Sequence, residues 1–78
     1  MLKKKPTLIL TFATTTQAMA TEKYCADHGL PGRLIPVPRE ITAGCGLSWK
    51  AAPEDRDVLT GALNGAGLKW AECHIIEI

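Results

Sequence analysis

Residues Thr7 to Phe12 alternate, with Leu8, Leu10 and Phe12 on one side and Thr7, Ile9 and Thr11 on the other. That is the period of a strand with β-branched residues on its second face. Thr14 to Thr16 offer hydroxyls where a helix would start, and Gln17 to His28 is rich in helix formers before Gly29 stops it. Ala18, Thr21 or Glu22, Cys25 and Gly29 share one helical face, so Cys25 is expected to pack toward a sheet as a small hydrophobe. Glu22 then reads as a carboxylate at the margin of that stripe, reaching water.

Gly32 to Val37 reads as a second, short strand closed by prolines, and Leu47 to Ala51 as a third, with Leu47 and Trp49 on one face and Ser48 and Lys50 on the other. Pro53 suits a first helical position, with Glu54 and Asp55 where the helix dipole favours negative charge. Val58, Leu59, Ala62, Leu63 and Ala66 form the clearest amphipathic stripe, which Asn64 to Gly67 ends. Trp70 to Ile78 closes the chain as a fourth strand. The order strand, helix, strand, strand, helix, strand predicts an α+β, ferredoxin-like βαββαβ fold with both helices on one face of a four-stranded antiparallel sheet.

That topology places chemistry. The turn between the second and third strands falls at the same edge as the start of the first helix and the loop from Gly65 to Lys69, so Cys45 is expected near Ala13 to Thr16. The other sheet face, carrying Ile9 and part of the last strand, would be open and could pair two molecules into a homodimer.

Length and charge narrow the classes. Seventy-eight residues make one domain over 1–78, with 1–5 as a flexible basic arm. Nine basic and eight acidic residues are mostly interspersed and give a net charge of +1, which argues against a nucleic-acid platform. Three cysteines without a Cys-x-x-Cys pair argue against a disulfide framework and a zinc site, and favour a reducing cytoplasm. Cys73 and His74 are adjacent and would point to opposite strand faces, poor geometry for one metal. The start of the chain imitates a secretory signal, but its apolar run is only strand-length and Thr14 to Gln17 interrupts it. No stretch approaches the ~20 apolar residues of a membrane span. No metal or cofactor is expected.

The loop from Pro36 to Gly46 is where a reaction could occur. Gly44 and Gly46 flank Cys45, so positive φ could let their amides converge on the sulfur. A guanidinium from Arg39 and the helix N-terminus would also favour an anionic sulfur. The plainer reading is an ordinary glycine turn around an incidental cysteine.

Taken together, the strand ending in Phe12 with Thr14 to Thr16, then Ala18 and Glu22, then Leu34-Ile-Pro-Val-Pro-Arg39, Ile41-Thr42 and Cys45-Gly46-Leu47, resembles the selenium/sulfur carrier protein-like family of small bacterial domains. The resemblance spans nearly the whole chain. It implies a protein that holds sulfane sulfur or selenium on Cys45 as a persulfide or perselenide. Arg39 and Thr42 belong to the same motif. It also implies a donor of the cysteine desulfurase or selenocysteine lyase type, and an acceptor protein. Serines often precede the cysteine in that motif; here Ala43 and Gly44 stand instead. A carrier acting between proteins fits so small a chain better than an independent enzyme. Cys73 reads either as a resolving thiol or, more commonly for a strand cysteine, as core. The competing function is a small regulatory or interaction domain without thiol chemistry. A copper chaperone would want paired cysteines after the first strand, and an RNA-binding module more aromatics on its central strands.

Overall fold

The computed structural model describes residues 4–42 and 44–78. The elements run β1 (Pro6–Thr11), α1 (Thr15–His28), β2 (Arg33–Pro36), β3 (Leu47–Ala51), a 3-10 turn (Pro53–Asp55), α2 (Arg56–Gly65) and β4 (Cys73–Glu77). The strands form one antiparallel sheet in the order β2-β3-β1-β4. This is the expected ferredoxin-like arrangement, with β1 at the centre beside both β3 and β4.

Register decides which residues meet the helices. Leu8 lies opposite Ala51 and Ile75, and Leu10 opposite Trp49 and Cys73. Directly opposed residues share a face, so these belong to the helix side. Leu8, Leu10, Phe12, Trp49 and Ala51 there close a core with Ala18, Cys25, Leu59 and Leu63 from the helices. Thr21 is the stripe residue that turns inward, and its hydroxyl finds no partner among the described residues; Glu22 stays exposed. The indole of Trp49 donates to the Pro31 carbonyl at 3.0 Å, so even this large core side chain has its polar atom satisfied.

Two expectations about exposure are corrected. Ile9, on the opposite face, has no accessible surface. Its cross-strand neighbours Lys50 and His74 stand on either side of it, and a central strand flanked by long stems is shielded without any second layer. Ile9 itself therefore offers no surface on that open face. On β4 the pattern runs the other way. Cys73, Ile75 and Glu77 point to the helix side yet are exposed, because neither helix covers that edge strand. Cys73 is an exposed edge thiol rather than a core residue.

Beyond one-residue differences at the ends of β1 and β2, three boundaries shift. The second helix opens with a 3-10 turn after Pro53. The last strand begins at Cys73 rather than Trp70, although Ala71 still donates to the Thr11 carbonyl at 2.7 Å. Thr15 and Thr16 join α1, whose cap is Thr14. The anticipated basic arm over 1–5 lies largely outside the described residues, but Lys5 exchanges two backbone hydrogen bonds with Ile78, each 3.1 Å.

Candidate functional site: the Cys45 loop

The segment between β2 and β3 has too many prolines and glycines to continue either strand, and its backbone bonds show how it closes instead. Val37 N–H donates to the Gly46 carbonyl at 2.9 Å, joining the two ends of the loop. Ile41 N–H donates to the Pro38 carbonyl at 2.9 Å, forming a turn over Arg39 and Glu40. The Ile41 side chain is buried, the one apolar side chain of that turn turned inward as an anchor. Arg39 and Thr42 on either side of it are exposed.

The tip is fixed to the end of β1. Cys45 N–H donates to the Phe12 carbonyl at 3.0 Å. Gly44 lies with φ +71°, and a Cβ placed on it would collide with that same carbonyl oxygen. Only glycine allows both the left-handed backbone and the approach. Phe12 in turn leads into Ala13 and the cap of α1, where the Thr14 hydroxyl accepts from Gln17 N–H and the Gln17 side chain accepts from Ala13 N–H, each at 3.1 Å. This is a reciprocal clamp of the capping-box kind. The Phe12 carbonyl that holds Cys45 is thus two residues from a helix cap, and Cys45 is half-buried, its side chain packed against the margin of the core. Its sulfur lies 4.0 Å from the Leu47 carbonyl, a weak S–H contact.

The residues from Thr7 to Ile75 match the model of a family described as Putative Se/S carrier protein-like. The chain belongs to that family. Comparison with curated proteins and with solved structures gives no match. The family match contains the whole Cys45 loop and all three thiols, so geometry has to say how those thiols differ.

Cys25 is buried under α1, and burial pushes its thiol pKa up, disfavouring the thiolate. Cys73 is exposed at the start of β4, on the far side of β1 from β3. Cys73 lies opposite Leu10 of β1, whereas the Cys45 N–H meets Phe12 at the end of that strand, and both thiols are free. Cys45 alone lies in a loop, partly sheltered and reachable from solvent.

The amides of the Cys45 loop are not equally free. The Cys45 N–H is taken by Phe12, so at most the neighbouring amides of Gly44 and Gly46 remain to face an anion. No hydrogen bond or ion pair ties the Arg39 side chain to any described residue, Cys45 included. Thr42 likewise makes no side-chain hydrogen bond among the described residues. The structure gathers Gly44, Cys45 and Gly46 at the end of β1 and leaves Arg39 and Thr42 on the outer turn. Ile41 was quoted in the motif, but its role as the buried anchor was not read; a lone branched apolar residue in a polar loop was the available signal. Among the described residues no three potential metal ligands converge, and no helix is long and apolar enough to cross a membrane.

Proposed function

We propose that the protein carries sulfane sulfur or selenium on Cys45 and hands it to an acceptor protein. The observation that carries this reading is membership of the carrier family across residues 7–75, with Cys45 the one loop thiol in that span. The chemistry is balanced without an external oxidant. The Cys45 thiolate attacks the outer sulfur of a donor persulfide, forming a new S–S bond as the donor S–S bond breaks and the donor cysteine leaves as thiolate. The acceptor then attacks the same outer atom, and Cys45 leaves as thiolate. Selenium follows the same course as a perselenide. A donor of the cysteine desulfurase or selenocysteine lyase type suits the first step.

The loop geometry supports partial rather than full protection of the cargo. A half-buried sulfur limits reaction with small oxidants, while an exposed outer turn bearing Arg39 lets a large partner approach. A regulatory domain with an inert thiol is the second reading, favoured by the Cys45 amide being occupied by Phe12. The two part in one experiment. The reduced protein is incubated with a cysteine desulfurase and cysteine, or with a selenocysteine lyase and selenocysteine, and intact and peptide masses are read. Added sulfur or selenium on Cys45, absent in Cys45→Ala, is the expected result. A bare Cys45 with Cys25 and Cys73 modified equally ends the carrier reading.

A further inference from the structure

At the end of the sheet remote from Cys45 lies an open groove of about 530 Å³. It is lined by the small or short residues Thr7, Gly32, Ala51 and Ala52 together with the cations Lys5, Arg33 and Lys50. No aspartate or glutamate lines it, although the terminal residue Ile78 does, and among the described residues none of the three cations is in an ion pair. Arg33 and Lys50 are direct cross-strand partners. Like charges placed opposite each other in a sheet repel and cost stability. Lys50 also helps shield Ile9, but no such role falls to Arg33 opposite it, and an anion laid over the pair would relieve the repulsion.

The net charge of +1 conceals this asymmetry. The two helical segments hold five carboxylates, Glu22, Asp27, Glu54, Asp55 and Asp57, against two cations, Lys23 and Arg56. The helix layer is negative and the groove end of the sheet positive.

We propose that this groove docks an extended acidic segment of a partner protein. Three observations select that occupant. The groove is shallow and open, so it does not enclose a small molecule. Lys50 stands opposite Ile9, four residues from Lys5, so the two ends of the cationic lining are about 13 Å apart along β1. One phosphate would have to draw both side chains toward a single point, whereas carboxylates four residues apart on an extended chain meet each cation where it stands. No aromatic residue lines the groove, which removes the stacking platform that single-stranded nucleic acid uses. The groove lies about 17 Å from Phe12 along β1, so a partner held there leaves the Cys45 loop clear. The docking does not depend on what Cys45 carries.

The test uses a fluorescein-labelled ten-residue peptide of alternating glutamate and serine, followed by anisotropy in low salt. Controls are the same peptide with glutamine for glutamate, a ten-nucleotide oligothymidylate and inorganic phosphate. Amide shifts of the unmodified protein locate the binding. The expected result is binding of the glutamate peptide alone, with shifts at Lys5, Thr7, Gly32, Arg33 and Lys50. Weakening of at least tenfold is expected in Arg33→Glu/Lys50→Glu, which reverses the charge while keeping a like-charged pair. Cys45→Ala binds as the parent does. The proposal is overturned if the glutamate peptide does not bind, if its shifts map to another surface, or if oligothymidylate or phosphate binds as tightly.

Discussion

The two ends of the sheet solve opposite problems with the same device. At each end a glycine is pressed against a backbone carbonyl: Gly44 against Phe12 at the Cys45 end, and Gly32 against Lys50, beside the Trp49 indole, at the groove end. Both have positive φ. At the first end the close approach fixes a loop, so a thiol is held at a set distance from a helix cap. At the second the missing side chain leaves room in a groove lined by cations. Position in one end comes from backbone hydrogen bonds, and character in the other from side-chain charge. Changes at the two ends should therefore differ in kind.

The largest effect is expected from Gly44→Ala. The added methyl meets the Phe12 carbonyl and the residue is forced into the left-handed region, a combined cost of roughly 3 kcal/mol. Gly46→Ala, with φ +91° and open space around it, meets backbone strain alone and should cost about 1 kcal/mol. Urea melts of both variants measure the difference, and equal losses would mean that the Phe12 contact does not hold the loop.

A smaller effect of opposite sign is expected at the other end. Arg33→Glu converts the like-charged pair with Lys50 into an attractive one and should stabilise the protein by about 0.5 kcal/mol. The gain should shrink in high salt. A loss of stability would show that Arg33 has an anionic partner within the folded chain.

The smallest effect appears only in alkali. Burial raises the Cys25 pKa above its ordinary 9.0, so the unfolded chain releases that proton first. The Cys25 contribution is constant below the unfolded pKa. Above it the unfolded state binds fewer protons than the folded one, and stability falls as pH rises. Cys25→Ala should remove that alkaline slope while leaving the neutral-pH shape of the curve unchanged.

What the sequence made legible was local. Leu47 to Ala51 was read to the residue because alternation and its glycine and proline flanks are all within the segment. The cap at Thr14 and the stop at Gly29 follow from single residues and their neighbours. The fold followed from the order of such segments. What escaped depended on contacts between segments. Ile9 looked exposed because its shielding comes from Lys50 and His74 on other strands. Cys73 looked buried because a strand cysteine usually is, and nothing in its own segment says that the helices stop short of β4. The engagement of the Cys45 amide was not legible because its acceptor, Phe12, lies 33 positions earlier. Glycines at 44 and 46 were noticed for their freedom to turn, but the decisive property of Gly44 is the space it leaves for another strand.

The graded exposure of the three thiols turns the protein into its own stopwatch. Under one alkylating reagent, Cys73 reports simple collision, Cys45 reports loosening of the loop over Phe12, and Cys25 reports opening of the helix layer from the sheet. A single time course resolved by peptide thus yields one collision rate and two opening rates from one unlabelled chain, and cargo on Cys45 would be seen as a change in one clock while the others keep time.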